Sequence, residues 1–152
     1  MGQHRKRKRQ SDEFVFYVVT IEGWDSIYGI SATQGRPMPA GLYEEMTVLE
    51  LTGNVFQPDD PKYPRAKITL YGKEGMLGSV GDEPTKSIGM VEGTDDGLSI
   101  WANIPAERMA GVMTLAASNR IRAALFTGTR LRYRRGAIHN LELMTRFDKE
   151  EY

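Results

Sequence analysis

The chain has 152 residues, 40% of them hydrophobic, with 20 Lys and Arg against 20 Asp and Glu. This size and composition are typical of one soluble domain whose core needs neither disulfide bonds nor a structural metal. The absence of Cys excludes disulfide bonds, thiolate nucleophiles and iron–sulfur clusters. No apolar run is long enough to span a membrane and no secretory signal pattern is present, so we expect a cytoplasmic location.

The formal net charge of zero conceals an uneven distribution of charge. Residues 1–10 carry five bases and no acid, residues 11–100 carry 6 bases and 15 acids, and residues 101–152 carry 9 bases and 5 acids. The five bases of the first block are consecutive: Arg5, Lys6, Arg7, Lys8 and Arg9. Because like charges repel and nothing apolar anchors this run, we predict a disordered basic tail over residues 1–10 and a single β-rich domain over 11–152.

Most of the domain has the composition of short β-strands. Residues 14–21 are β-branched and aromatic, and we expect this strand to end at Glu22 and Gly23. A further short strand is expected near residues 26–31, followed by a connecting loop rich in Gly and Pro over 33–41. Additional strands are predicted over 43–52, with a bulge near Val48, and over 66–71, 87–91 and 98–104. Leu98, Ile100, Ala102 and Ile104 should share the buried face of the last of these strands.

One amphipathic helix is predicted over residues 105–117. Pro105 suits its first position, and Met109, Val112, Met113 and Ala116 form an apolar stripe that we expect to pack on the sheet. Asn119 is suited to the left-handed position that ends the helix, and Gly111 inside the helix suggests that another element packs closely against it.

The last third of the sequence predicts a hairpin whose register decides the position of three arginines. A two-residue loop would place Arg130 and Arg132 on the face of His139, whereas a three-residue loop with Gly136 left-handed would separate apolar and charged faces. We favour the three-residue loop. It predicts a basic sheet face containing Arg130, Arg132 and Arg134, and it points His139 toward the apolar side.

Such an arginine face has two interpretations. Planar guanidinium groups bind phosphates, and together with the basic tail they would suit a nucleic acid. The alternative is a solvated surface of mixed charge, with the arginine stems lying over their neighbours. Both interpretations stay open from the sequence.

Residues able to carry catalysis are few. His139 is the only histidine outside the tail, so a metal site of several His cannot form within one chain, and neither a P-loop nor a nucleophile elbow is present. Carboxylates occur in the loops at 59–64 and 92–97, where Asp95 and Asp96 are typical turn residues. We therefore expect no cofactor and no metal, and the sequence inclines away from an enzyme.

The sequence predicts a β-sandwich or partly open barrel of about seven to nine short antiparallel strands with one helix. Our first functional hypothesis is a non-catalytic binding or protein-interaction module that self-associates. The second is a nucleic-acid-associated protein, such as a coat-type subunit, that uses the basic tail and the arginine face. The third is a small hydrolase or isomerase with its carboxylates in the two loops.

Overall fold

The structure, a computed structural model, describes residues 14–32, 43–77 and 87–152. The predicted basic tail, with Arg5, Lys6, Arg7, Lys8 and Arg9, lies outside the described residues, as does the loop over 33–41. The account below concerns the described ranges.

The protein is mainly β, as predicted, and its seven strands form a closed barrel in the order β1-β2-β3-β5-β4-β7-β6. Six of the seven strand pairings are antiparallel, and β3 with β5 is parallel. The strands are β1 (Phe14–Ala32), β2 (Tyr43–Gln57), β3 (Arg65–Lys73), β4 (Gly89–Thr94), β5 (Gly97–Pro105), β6 (Ala123–Thr129) and β7 (Arg135–Met144).

The core fills the inside of the barrel with side chains that alternate along each strand. Leu98, Ile100, Ala102 and Ile104 are all buried, which confirms the predicted inner face of β5. Inward-facing residues of the neighbouring strands complete the core, among them Leu49, Leu51, Ile68, Leu70, Val91, Phe126 and Ile138. Closure leaves no free strand edge around the barrel wall itself, which removes a common route to aggregation.

The two longest strands differ most from the prediction. β1 does not end at Glu22 and Gly23 but continues to Ala32, because the pairing with β2 shifts register between Ile21 and Gly23 and then resumes. The predicted bulge near Val48 is wrong, since β2 pairs regularly there with both neighbours. Val48 is instead buried on the outer face, between Ile27 of β1 and Tyr71 of β3.

A short helix covers one end of the barrel. A 3₁₀ turn (Ala106–Arg108) follows β5 directly and leads into α1 (Met109–Ala117), whose Met109 and Ala116 are buried in the core. Asn119 has a φ of 55° and ends the helix in the left-handed conformation, as predicted. None of the helices in the described part of the chain is long and apolar enough to cross a membrane.

The C-terminal segment packs outside the barrel wall. Phe147 contacts Phe56 of β2 edge to face and stacks on Tyr152, with ring centroids 5.4 and 5.7 Å apart. The side-chain amide of Gln57 donates to the main-chain oxygen of Tyr152, and a second 3₁₀ turn (Lys149–Glu151) carries the chain to this contact. A small aromatic layer therefore covers part of the outer wall.

Candidate binding site at the barrel end

The barrel end opposite the helix is formed by three connections. These are the β2–β3 loop, the two-residue turn between β4 and β5, and the segment of residues 130–134 between β6 and β7. β1 begins at the same end, where Phe14 pairs with Thr129 of β6. We call it the pocket end, and the opposite one the helix end.

The connection between β6 and β7 does not have the predicted register. Arg132 pairs with Arg135, and Tyr133 and Arg134 between them have φ values of 51° and 66°. These left-handed values at both central positions are typical of a two-residue type I′ turn, in which Gly, Asn and Asp are the usual residues. The three-residue loop predicted around Gly136 is therefore wrong. Gly136 is required for a different reason, since a Cβ there would lie 2.6 Å from the carbonyl oxygen of Thr129.

A bulge in β7 reverses the predicted orientation of Ile138 and His139, whereas Leu141 and Leu143 pack against the core as predicted. Gly128 pairs with Ile138 and Thr127 pairs with Asn140, so His139 is the extra residue. Ile138 is fully buried, whereas His139 is exposed and packs edge-on against Phe14 with the ring centroids 5.6 Å apart. The prediction that His139 faces the apolar side is therefore wrong.

The arginines lie at the pocket end rather than on a sheet face. Arg130, Arg132 and Arg134 all belong to the exposed β6–β7 connection, which corrects the predicted arginine face. Arg134 contacts Asp95 of the β4–β5 turn at 3.4 Å, and the next residue, Arg135, contacts Glu92 at 3.1 Å. Both ion pairs are exposed, so each contributes little to stability.

A pocket of about 430 Å³ opens between these connections. Its volume is within the range of sites that bind small ligands or anchoring side chains, and mouths of β-barrels are common places for such sites. The inner part is apolar, and the rim carries three cations and one carboxylate. The apolar and aromatic lining residues are Val15, Tyr17, Val55, Pro58, Tyr63, Leu98 and Leu131, and the charged ones are Asp60, Lys62, Arg130 and Arg134.

The β2–β3 loop builds one wall of the pocket. A cis peptide bond joins Gln57 to Pro58, and the main-chain N–H of Tyr63 donates to the carbonyl oxygen of Asp60 at 3.0 Å. The Asp60 carboxylate accepts a hydrogen bond from the main-chain N–H of Lys62, and this bond holds the acid against its own loop. Tyr63 is buried and sits over Gly93 of β4, where a Cβ would lie 2.4 Å from the tyrosine hydroxyl.

Tyr17 lies at the base of the pocket. Burial raises the pKa of its phenol above the usual value. Its hydroxyl donates a hydrogen bond to the carbonyl oxygen of Thr129 at 3.3 Å, so the polar end of the side chain is paired and the ring packs in the apolar interior. The base of the pocket is therefore neutral and apolar, and its charges are confined to the rim.

The carboxylates expected for a hydrolase or isomerase do reach the same end of the barrel. Asp60 lines the pocket, but Asp95 and Glu92 contact Arg134 and Arg135 outside it. Among the described residues, no group of three or more His, Asp or Glu is arranged to hold a metal ion. The pocket therefore has one lining carboxylate, and the catalytic hypothesis stays a prediction.

A second surface, which the sequence did not reveal, is a two-stranded extension at the helix end. Residues 27–32 of β1 pair with residues 43–48 of β2, and within the described chain this part of β1 has no strand at its other edge. We call residues 27–32 and 43–47 the arm. Its side chains Ile27, Tyr28, Ile30 and Met46 are 51 to 60% exposed. The sequence signal for this extension is the apolar run at 27–30, which by itself predicts only a separate short strand.

Apolar side chains occupy both faces of the arm. Tyr28 lies opposite Thr47 and Ile30 opposite Glu45, on the face that continues the barrel interior. Ile27 and Met46 lie on the other face. The arm includes Glu44 and Glu45 but no Lys, Arg or His, so its formal charge is negative.

Comparison of the chain with protein-family models, with curated proteins and with solved structures gave no match.

Proposed function

We propose that the protein is a non-catalytic binding module that associates with other copies of itself through the arm. The observation that carries the proposal is the exposure of Ile27, Tyr28, Ile30 and Met46 on a two-stranded extension. A two-stranded ribbon is marginally stable in water when it stands alone, and the arm has a barrel on one side only. Covering its apolar faces would stabilise it.

The free energy available from burying these side chains favours association. Complete burial of a large apolar side chain contributes about 1.5–3 kcal/mol, so covering several of them at once can offset the entropy lost when two molecules combine. Among the described residues the edge of β1 along the arm has no neighbouring strand, so its main-chain donors and acceptors can pair with a partner. Both properties belong to the same eleven-residue surface.

Sedimentation velocity over a concentration series tests the proposal. We expect the native chain to shift from monomer to larger species as its concentration rises, and the double variant Tyr28→Ser/Ile30→Ser to remain monomeric. Leu77→Ser is the matched control, because Leu77 is 62% exposed and lies outside the arm. A native chain that stays monomeric up to high concentration would contradict the proposal. Large closed assemblies would instead favour the coat-type subunit of the nucleic-acid hypothesis.

A second candidate, nucleic-acid binding, has its own structural support. Phe14 pairs with Thr129, the residue that precedes Arg130, and Arg9 is five residues before Phe14 in the sequence. The basic run therefore precedes, by a few residues in the sequence, a strand that starts beside the arginine connection. Tyr133, fully exposed on the same connection, offers a ring on which a base could stack.

This second candidate predicts binding that weakens with salt. We expect fluorescence anisotropy to detect oligonucleotide binding at low salt that is lost when Arg130, Arg132 and Arg134 are all replaced by Ala. Replacing residues 5–9 by Gln in the full chain separates the contribution of the tail from that of the connection. A binding signal that does not respond to salt would exclude this candidate.

A further inference from the structure

The arm and the pocket lie at opposite ends of the same strand. Val15 and Tyr17 line the pocket near the start of β1, and Tyr28 and Ile30 lie on the arm near its end. A strand advances about 3.3 Å per residue, so Val15 and Tyr28 are separated by roughly 40 Å along β1. The arm of one molecule therefore cannot enter its own pocket.

The two surfaces are complementary in chemistry. The inner face of the arm combines Tyr28 and Ile30 with the carboxylate of Glu45, which pairs across the strands with Ile30. The pocket combines an apolar interior with a rim that carries Lys62, Arg130 and Arg134 beside Asp60, and Asp95 contacts Arg134 just outside it. Apolar anchors that enter a pocket while acids meet a basic rim are typical of specific protein contacts.

We propose that the arm of one copy docks into the pocket of the next, so that the molecules associate head to tail. This inference rests on the proposed self-association and specifies its partner surface. Tyr28 and Ile30 enter the apolar part of the pocket, near Tyr63 and Leu131, and the Glu45 carboxylate faces the cations of the rim. Because the contact joins two different surfaces, an open assembly still presents one free arm at one end and one free pocket at the other.

Such a contact is heterologous and produces rings or filaments instead of closed dimers. The main alternative is a symmetric contact in which two arms pair along the edge of β1 that has no neighbouring strand among the described residues. The two arrangements differ in one testable respect. Head-to-tail docking needs an intact arm on one molecule and an intact pocket on the other, whereas arm-to-arm pairing needs two intact arms.

A mixing experiment with two full-length variants distinguishes them. The arm variant is Tyr28→Ser/Ile30→Ser, and the pocket variant is Lys62→Glu/Arg134→Glu, which reverses two exposed rim cations. The control is Arg108→Glu/Arg120→Glu, which reverses two exposed cations at the helix end. Circular dichroism verifies the fold of each variant. If the charge reversals prevent folding, Lys62→Gln/Arg134→Gln tests the same contact with a smaller change.

We expect each of the two variants to self-associate at least about tenfold more weakly than the native chain, and the control to behave like the native chain. An equimolar mixture of the two variants should form a one-to-one dimer and nothing larger, because it contains one usable arm and one usable pocket per pair. Sedimentation velocity with a fluorescent label on the pocket variant detects that dimer. Added salt should weaken it.

Two results would overturn the docking while leaving the proposed self-association intact. They are a pocket variant that associates as strongly as the native chain, and a mixture that stays monomeric. A native chain that is itself monomeric would instead contradict the proposed function and this inference together.

Discussion

A Cβ atom on Gly53 would lie 1.8 Å from the carbonyl oxygen of Thr20. The contact is formed by main-chain atoms, so no rotation of a side chain can relieve it. It lies beside the register shift between Ile21 and Gly23, which allows β1 to continue from the barrel into the arm. The close approach of the two backbones is therefore part of the geometry that joins the arm to the barrel.

We expect Gly53→Ala to lower the free energy of unfolding by about 2–3 kcal/mol, because the backbones of β1 and β2 must separate to admit the methyl group. Urea denaturation followed by tryptophan fluorescence measures the loss. A change below 0.5 kcal/mol would mean that the register shift tolerates a side chain at this point.

Gly111→Ala should have the opposite effect. A Cβ at Gly111 in α1 meets no atom within 4 Å, so the close packing expected there from the sequence is absent. Alanine is favoured over glycine in a helix interior by about 0.5–1 kcal/mol, and we expect the variant to be more stable by that amount. The same denaturation experiment applies, and a destabilised variant would contradict the exposed position of this residue.

Tyr17 predicts a specific dependence of stability on alkaline pH. Its pKa in the folded chain is raised by burial above the ordinary value of 10.0. As pH rises past 10 the unfolded chain therefore loses this proton first, and the native state loses stability as pH approaches the folded pKa. Below pH 10 the contribution is fully present.

Tyr17→Phe removes this titration together with the hydrogen bond to Thr129. We expect the variant to be less stable than the native chain at pH 7 by about 0.5–1.5 kcal/mol. The difference should shrink as pH rises above 10. The native chain then loses the stability that comes from Tyr17, whereas the variant has no such group to titrate. Thermal unfolding from pH 7 to 11 checks this. A difference that stays constant over that range would show that Tyr17 keeps its ordinary pKa.

The sequence predicted the features that depend on local patterns. The alternation of β5 placed Leu98 and Ile104 inside, and Asn119 marked the end of the helix, because each signal needs only a few neighbouring residues. Closure of the barrel was not predicted. It depends on the pairing of β1 with β6, about a hundred residues apart in the sequence, and on the parallel pairing of β3 with β5.

The errors near the candidate site come from bulges and turns that have weak sequence signals. The extra residue His139 changes the alternation of β7, so Ile138 before it is buried against the prediction, whereas Leu141 and Leu143 after it pack against the core as predicted. In the turn, Tyr133 and Arg134 both adopt the left-handed conformation, which residues of these types usually avoid. The sequence therefore predicted that the arginines would group together, but it assigned them to the wrong surface.

The pocket itself could not be predicted because its lining comes from four separate parts of the chain. Tyr63 reaches the barrel interior from the β2–β3 loop, and the residues opposite it belong to β5 and to the β6–β7 connection. The arm was missed for a related reason. Gly23 suggested the end of a strand, whereas in the structure it follows a register shift within one.

The aromatic layer outside the barrel predicts a coupling between the C-terminal segment and β2. Phe147 contacts Phe56 edge to face, and aromatic pairs of this kind contribute about 0.5–1.5 kcal/mol beyond their buried area. We expect Phe56→Ala and Phe147→Ala each to be destabilising and the double variant to lose less than their sum, with a coupling energy in that range. Phe16→Ala is the control, since Phe16 is 58% exposed, and we expect it to change stability by less than about 0.5 kcal/mol. Strict additivity of the two single substitutions would mean that the C-terminal segment does not pack on β2 in solution.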